Sequence, residues 1–215
     1  TLKTTASFTI NTKRGIQLNA SSTINVDGST TLTYAGIIKD QNSENNGYTK
    51  SGSGTLALSG DSTYDGVTTI SAGVITIAHA DSLGSTSGAT SITSGAALSI
   101  SGGITVAEPI TVNGTGVSSG GAIVFTANDN TYSGAITLGS TSTIVSTGGA
   151  QTISGAVNGG QALTITANGN LVISGAVGGS TNLSSYAVTT TNSSSQTFSA
   201  NVETTGNQTY TAAGG

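Results

Sequence analysis

The sequence predicts an all-β fold built as a solenoid, in which short strands stack coil upon coil. Three features carry that expectation. Apolar residues alternate with polar ones over short runs, as in a strand with one buried face. Turns rich in Gly, Asn and Ser interrupt the runs at regular intervals. Short sequence elements recur about every 20 residues, a coil length for repeat architectures. Together they predict one solenoid segment over residues 1–215, with roughly ten coils of about 20 residues.

Residues 1–49 supply the N-terminal coils. Strands are expected at Phe8–Ile10, Ile16–Leu18, Thr23–Val26 and Thr31–Tyr34, each with an i, i+2 apolar pair. Residues 40–49 are the most polar stretch and read as a loop bulging from its coil. Residues 50–84 hold three alternating runs, Leu56/Leu58, Val67 with Ile70, and Ile75/Ile77, parted by turns at Gly52–Gly54, Ser59–Gly60 and Ala72–Gly73. Residues 85–215 repeat the grammar more loosely. Leu98/Ile100 and Ile104/Val106 are expected to face inward, as are Leu163/Ile165 and Leu171/Ile173. Pro109 cannot donate to a ladder and is placed at a strand start or a corner. Residues 114–121 form a turn.

Two internal echoes support the coil. Thr63–Ile70 matches Thr131–Leu138, and Thr209-Tyr210-Thr211 begins the element again. Ser-Gly-Ala-Ile/Val recurs at Ser133, Ser154 and Ser174, each start one coil length from the last. A lone coil of this size cannot bury enough apolar surface to offset its ordering entropy, so stability must come from the coils above and below.

Composition narrows the function. Only 7% of residues are charged, against about 25% in ordinary soluble domains. All five bases (Lys3, Lys13, Arg14, Lys39, Lys50) lie in the first 50 residues. Six acids and no base follow, so the net charge of −4 divides into +2 and −6. Such a surface cannot neutralise phosphates, which argues against nucleic acid, and it has no polybasic membrane patch. No run reaches transmembrane length. The chain has no Cys, so stacking alone must hold it. Without an initiating Met or a signal peptide, it reads as an interior piece of a longer processed precursor.

The stretch KSGSGTLALSGDSTYDGVTTISAGVITIAHADSLG (residues 50–84) resembles the autotransporter-associated β-strand repeat of bacterial passenger regions and giant surface proteins. The family pattern runs lysine, Gly-Gly-Thr-Leu strand, Tyr-x-Gly-x-Thr-x-Ile turn and strand, then Ala-Gly and another strand. Lys50, Gly54-Thr55-Leu56, Tyr64, Gly66, Thr69-Ile70 and Ala72-Gly73 fall on it. Arg14-Gly15-Ile16, Val106–Ile110 and Val112-Asn113-Gly114 fit as flanks, so residues 8–140 look like such a passenger. The resemblance implies a right-handed parallel β-helix that is secreted or on the bacterial cell surface. It implies no particular ligand.

Catalytic chemistry finds little support. His79 is the one histidine and has no Cys to join it, so neither a metal set nor a triad follows from the sequence. The acids recur at coil spacing: Asp40/Asp61, Glu44/Asp65, Asp61/Asp81 and Glu108/Asp129 are each separated by one coil length. Stacked on successive coils they would stand about 5 Å apart, a spacing that suits Ca²⁺ or, in a different context, glycoside cleavage. Asp61, Asp65, Asp81, Glu108 and Asp129 are the Ca²⁺ candidates. The plainer reading is that repeats recycle Asx residues in turns. Asn19, Asn113, Asn182, Asn192 and Asn207 satisfy the N-glycosylation pattern, which arises by chance in a chain of this composition.

The expectation is therefore a structural surface or matrix module acting by display, adhesion or self-association, and not an enzyme. Head-to-tail association into fibres, and contact with polysaccharide or a neighbouring cell surface, are the expected partnerships. The alternative is a carbohydrate-binding or polysaccharide-degrading β-helix.

Overall fold

The computed structural model describes residues 1–41, 44–126, 128–191 and 195–212. It is an all-β, parallel solenoid of about nine turns. Three ladders of short parallel strands run along it, joined by corners.

The first ladder stacks Leu2–Thr4, Ser22–Val26, Tyr48–Ser51, Thr68–Ile70, Thr90–Ile92, Ile110–Gly114 and the start of Ile136–Ser146. Val157–Asn158 and single bridges at Val177 and Val202 continue it. The second ladder has ten rungs, Phe8–Leu32–Leu56–Ile75–Leu98–Ile123–Ile144–Ile165–Val188–Tyr210. The third begins with Ile16–Leu18 on Ile38–Asp40. It resumes with Thr105–Val106, Thr131–Tyr132, Gln151–Ile153, Leu171–Ile173 and Gln196–Phe198. Between those two parts the backbone bonds from Thr63 N–H to Ile38 O and from Ser85 N–H to Tyr64 O carry the stack.

The strands form where period-two alternation meets β-branched residues, which suit a pleated, half-buried surface. Ile75, Ile77, Leu98, Ile100, Leu163, Ile165, Leu171 and Ile173 all point inward as the alternation requires. The Ser-Gly-Ala-Ile/Val recurrence is structural: Ile136, Val157 and Val177 lie in register on successive coils. Its glycines are required by close approach. A Cβ on Gly155 would strike the carbonyl of Gly134, and one on Gly175 the carbonyl of Gly155. Pro109 sits just before Ile110–Gly114, lending only its carbonyl, to Thr90 N–H. A short 3₁₀ turn, Val117–Ser119, occupies the expected turn after residue 114.

Several details differ from the sequence reading. Coils are longer and less even than the recurrence of sequence elements predicts. The step from Leu56 to Ile75 on the second ladder is short, and the step from Leu98 to Ile123 is long. Corners absorb the extra residues while the strands keep register. Val67 does not join Ile70 in the core. It lies just before the strand, at the corner, and is 52% exposed. Tyr210 stands on the second ladder opposite Val188, whereas Tyr132 is on the third. The Thr-Tyr echo at Thr209 is therefore no third copy of the unit. Ile104 is only half-buried, packed against the core beside buried Val106.

Candidate functional site

Outward positions on the ladders repeat small hydroxyl residues. On the first ladder Thr23, Thr49, Thr69, Ser91, Thr111, Thr137 and Asn158 form one continuous file. On the third, Thr105, Thr131, Thr152, Val172 and Thr197 form another. Neither file contains a charged residue, so the surface offers hydrogen-bonding groups without an electrostatic field.

The acids occupy three kinds of place. Asp61, His79 and Asp81 meet at an exposed corner, where one ligand atom from each lies within 4.8 Å of the others. The Asp81 N–H donates to His79 Nδ1 at 3.2 Å, and Asp81 Oδ2 stands 3.9 Å from the same nitrogen. A cation taken on Nδ1 would have to displace that backbone bond, which leaves Nε2 and the two carboxylates as the ligand atoms of this corner. Asp65 pairs differently. Its N–H donates to Asp40 Oδ2 at 3.4 Å, and its own carboxylate accepts from the Ser85 hydroxyl. Asp65, and not Asp61, meets Asp40, because the polar loop lengthens that coil. Residues 42 and 43 of the loop lie outside the described residues.

Glu108 and Asp129 are not brought together. Asp129 is exposed and accepts from Ala150 N–H at 2.8 Å. Glu108 is 3% exposed. Its Oε1 has one long contact, from the Thr90 hydroxyl at 3.4 Å, and its Oε2 is buried with no partner among the described residues. Its backbone carbonyl accepts from the Tyr132 hydroxyl at 2.7 Å. Burial pushes its carboxyl up to about 7, since an anion here would have almost nothing to solvate it. Tyr64 lies in the same polar seam, its hydroxyl on Thr68 Oγ1 at 2.6 Å and its ring edge-on to Tyr48. Burial raises the Tyr64 and Tyr132 hydroxyls well above their ordinary range.

Lys50 is the residue whose place its charge concealed. It replaces an aliphatic in the inward file, between Ile24 and Ile70, and is fully buried. Its Nζ donates to the carbonyls of Ser51 (3.1 Å), Gly52 (2.7 Å) and Ala72 (2.8 Å), one acceptor for each ammonium proton. Burial lowers its pKa to about 8. Gly52 and Gly73 take positive φ at either side, and a Cβ on Gly73 would crowd Nζ and the carbonyls of Gly52 and Gly54. The usable signal was the Tyr48-x-Lys50 alternation, which puts Lys50 on the inner face. Of the glycosylation patterns, the Asn113 amide is already bonded to Ile92 O, and Asn192 lies outside the described residues.

Comparison with known proteins gives a family match over part of the chain. Residues 49–77 match the family model described as passenger-associated-transport-repeat. No curated protein and no solved structure matches the chain. The matched span begins beside Lys50 and ends at Ile77, so it contains the lysine, the three carbonyls it holds and the glycines around it. Within the matched span, Lys50 ties two successive coils together through the carbonyls of Gly52 and Ala72.

Proposed function

We propose that this solenoid is a structural segment of a bacterial surface or matrix protein, acting by display and adhesion and not by catalysis. The passenger repeat and the β-solenoid fit a passenger or structural module, and the repeat family implies a secreted or surface-exposed location. The match over residues 49–77, set within a ladder of uninterrupted rungs, carries the reading. The uncharged hydroxyl files support it, since they make a hydrated surface that attracts neither polyanions nor polycations. Antibody labelling of intact producing cells tests the location. Signal without permeabilisation is expected, and signal only after lysis would overturn it.

Self-association belongs to the same reading. Among the described residues, the strands Phe8–Ile10 and Gln208–Ala212 pair on one side each, with Phe8 45% and Tyr210 48% exposed. An open parallel edge accepts another rung, whether from the same polypeptide or from a second copy. Sedimentation at rising concentration should show association. A strict monomer throughout would remove it.

A further inference from the structure

The outer face carries one concave site that the display reading leaves unassigned. It is a cleft of about 300 Å³ on the first ladder, lined by Ser21, Ser22, Asn45, Gly47, Thr49, Val67 and Thr69 together with Tyr48. Its origin is local. Ser22, Tyr48 and Thr68 are in register on three successive coils, and one residue earlier stand Ser21, Gly47 and Val67. Gly47 leaves the middle of that row bare. It must be glycine, because a Cβ there would strike the Val67 backbone. The walls are tied to one another by Ser22 N–H to Gly47 O at 3.4 Å and Tyr48 N–H to Val67 O at 3.1 Å. The notch is therefore a pre-formed feature of the ladder.

We infer that this cleft binds a neutral oligosaccharide, laid along the stacking axis with one sugar ring seated over Gly47 against Val67. The inference rests on the display reading and names its ligand. The chemistry of the lining supports it. Every side chain that closes the cleft is a hydroxyl, an amide or the apolar Val67, and none is ionisable except the buried phenol of Tyr48. Among the described residues, the hydroxyls of Thr49 and Thr69 and the amide of Asn45 make no side-chain hydrogen bond within the protein, so they are available to a ligand. A charged sugar would be desolvated there without a counter-charge. A neutral one exchanges hydroxyl for hydroxyl and sets a C–H face on Val67. The cleft also opens onto the file that continues through Ser91, Thr111 and Thr137. An extended glycan running along that file meets a new hydroxyl about every 4.8 Å. With no aromatic platform on the outer surface of the cleft, each contact is weak, on the order of a millimolar Kd. Useful adhesion then comes from many copies on one surface.

Titration calorimetry and NMR with cellohexaose and mannohexaose as neutral probes, and hexagalacturonate as the acidic one, test the site. Saturable millimolar binding of a neutral probe is expected, unchanged by salt. The Thr49→Val/Thr69→Val pair keeps the β-branched shape and should keep the melting temperature, yet weaken binding by about tenfold or more. Thr131→Val/Thr152→Val, on the separate outward file of the third ladder, should bind as the parent does. No saturable binding of either neutral probe, preference for hexagalacturonate, or equal loss in both pairs would overturn the site. Those failures leave surface labelling of cells untouched, whereas failed labelling leaves the binding measurement intact, so the two readings fail separately.

Discussion

The coils around Lys50 and those around Gln151 solve the same problem with different chemistry. In each, backbone carbonyls of corner residues converge on the interior beside a positive-φ glycine, Gly73 in one and Gly149 in the other. Lys50 answers with an ammonium that holds Ser51, Gly52 and Ala72 carbonyls. Gln151 answers with an amide, whose Nε2 donates to Asn128 O and Gly148 O at 2.6 Å each, while its Oε1 accepts from both nitrogens of Asn130 at 3.1 Å. The stack therefore needs a donor where corner carbonyls meet, and charge is one option. The charged version lies inside the passenger repeat, on the N-terminal side of the buried carboxyl of Glu108. From Ile136 to Val188 the described interior is apolar with neutral polar groups only.

The largest break in that comparison should come from placing a charge where both regions are aliphatic. Ile75→Asp and Ile165→Asp should each cost about 4 kcal/mol or more in urea unfolding, as buried unpaired charges do. Thr76→Asp and Thr166→Asp, one residue on and facing outward, should stay within about 1 kcal/mol. Equal costs at the two kinds of position would break the inward and outward assignment.

Next comes pH. The folded Glu108 holds its proton up to about 7, against 4.5 for an ordinary glutamate. Between those values the unfolded chain binds fewer protons than the native one, so stability falls as pH rises from 4.5 to 7, by at most about 3 kcal/mol. Lys50 works in the opposite sense. Its pKa is lowered to about 8 from 10.5, so stability recovers as pH rises through that interval. Tyr64 and Tyr132, whose hydroxyls are raised in part by Glu108, remain protonated throughout. A trough between about pH 7 and 8 is expected in the unfolding free energy. Glu108→Gln should flatten the falling limb and Lys50→Met the rising one. A parent profile without the trough would contradict the buried placement of both groups.

A smaller difference separates the two ties directly. Lys50→Met leaves three corner carbonyls without their charged donor and should cost about 2–4 kcal/mol. Gln151→Leu removes neutral bonds and should cost about 1–2 kcal/mol. A reversed order in matched urea melts would mean that burying the ammonium outweighs its bonds. Smallest of all, EDTA should leave the melting temperature unchanged, because at the Asp61–His79–Asp81 corner His79 Nδ1 is taken by Asp81 N–H and both carboxylates are exposed. A drop on chelation would assign that corner a structural cation.

The strands were legible in the sequence because alternation and β-branching are local. Phe8–Ile10, Ile16–Leu18 and Thr31–Tyr34 form where the sequence reading places them. Corners were less legible. Val67 is apolar and close to Ile70, and only the turn before the strand sends it outward. The Thr-Tyr pair at Thr209 encodes a strand but not a face. Asp61 and Asp81 do come together, but the other acid pairings depended on a constant coil length, which corners do not keep, so Asp65 met Asp40 and Glu108 did not meet Asp129. Lys50 and Glu108 were hidden for another reason. A two-letter pattern of polar and apolar residues assigns every charge to the surface, and it takes the converging carbonyls of a corner to bring an ammonium inside.

The unequal coil lengths have a practical meaning. The turn from Ile24 to Lys50 is long and the turn from Lys50 to Ile70 is short, yet both land on the same ladder. Corners behave as expansion joints. The exposed corner at Val117–Ser119, closed below by the Gly116–Gly121 bridge, is the natural place to splice in a foreign peptide, which the rod would carry on its flank while the rungs on either side stay in place.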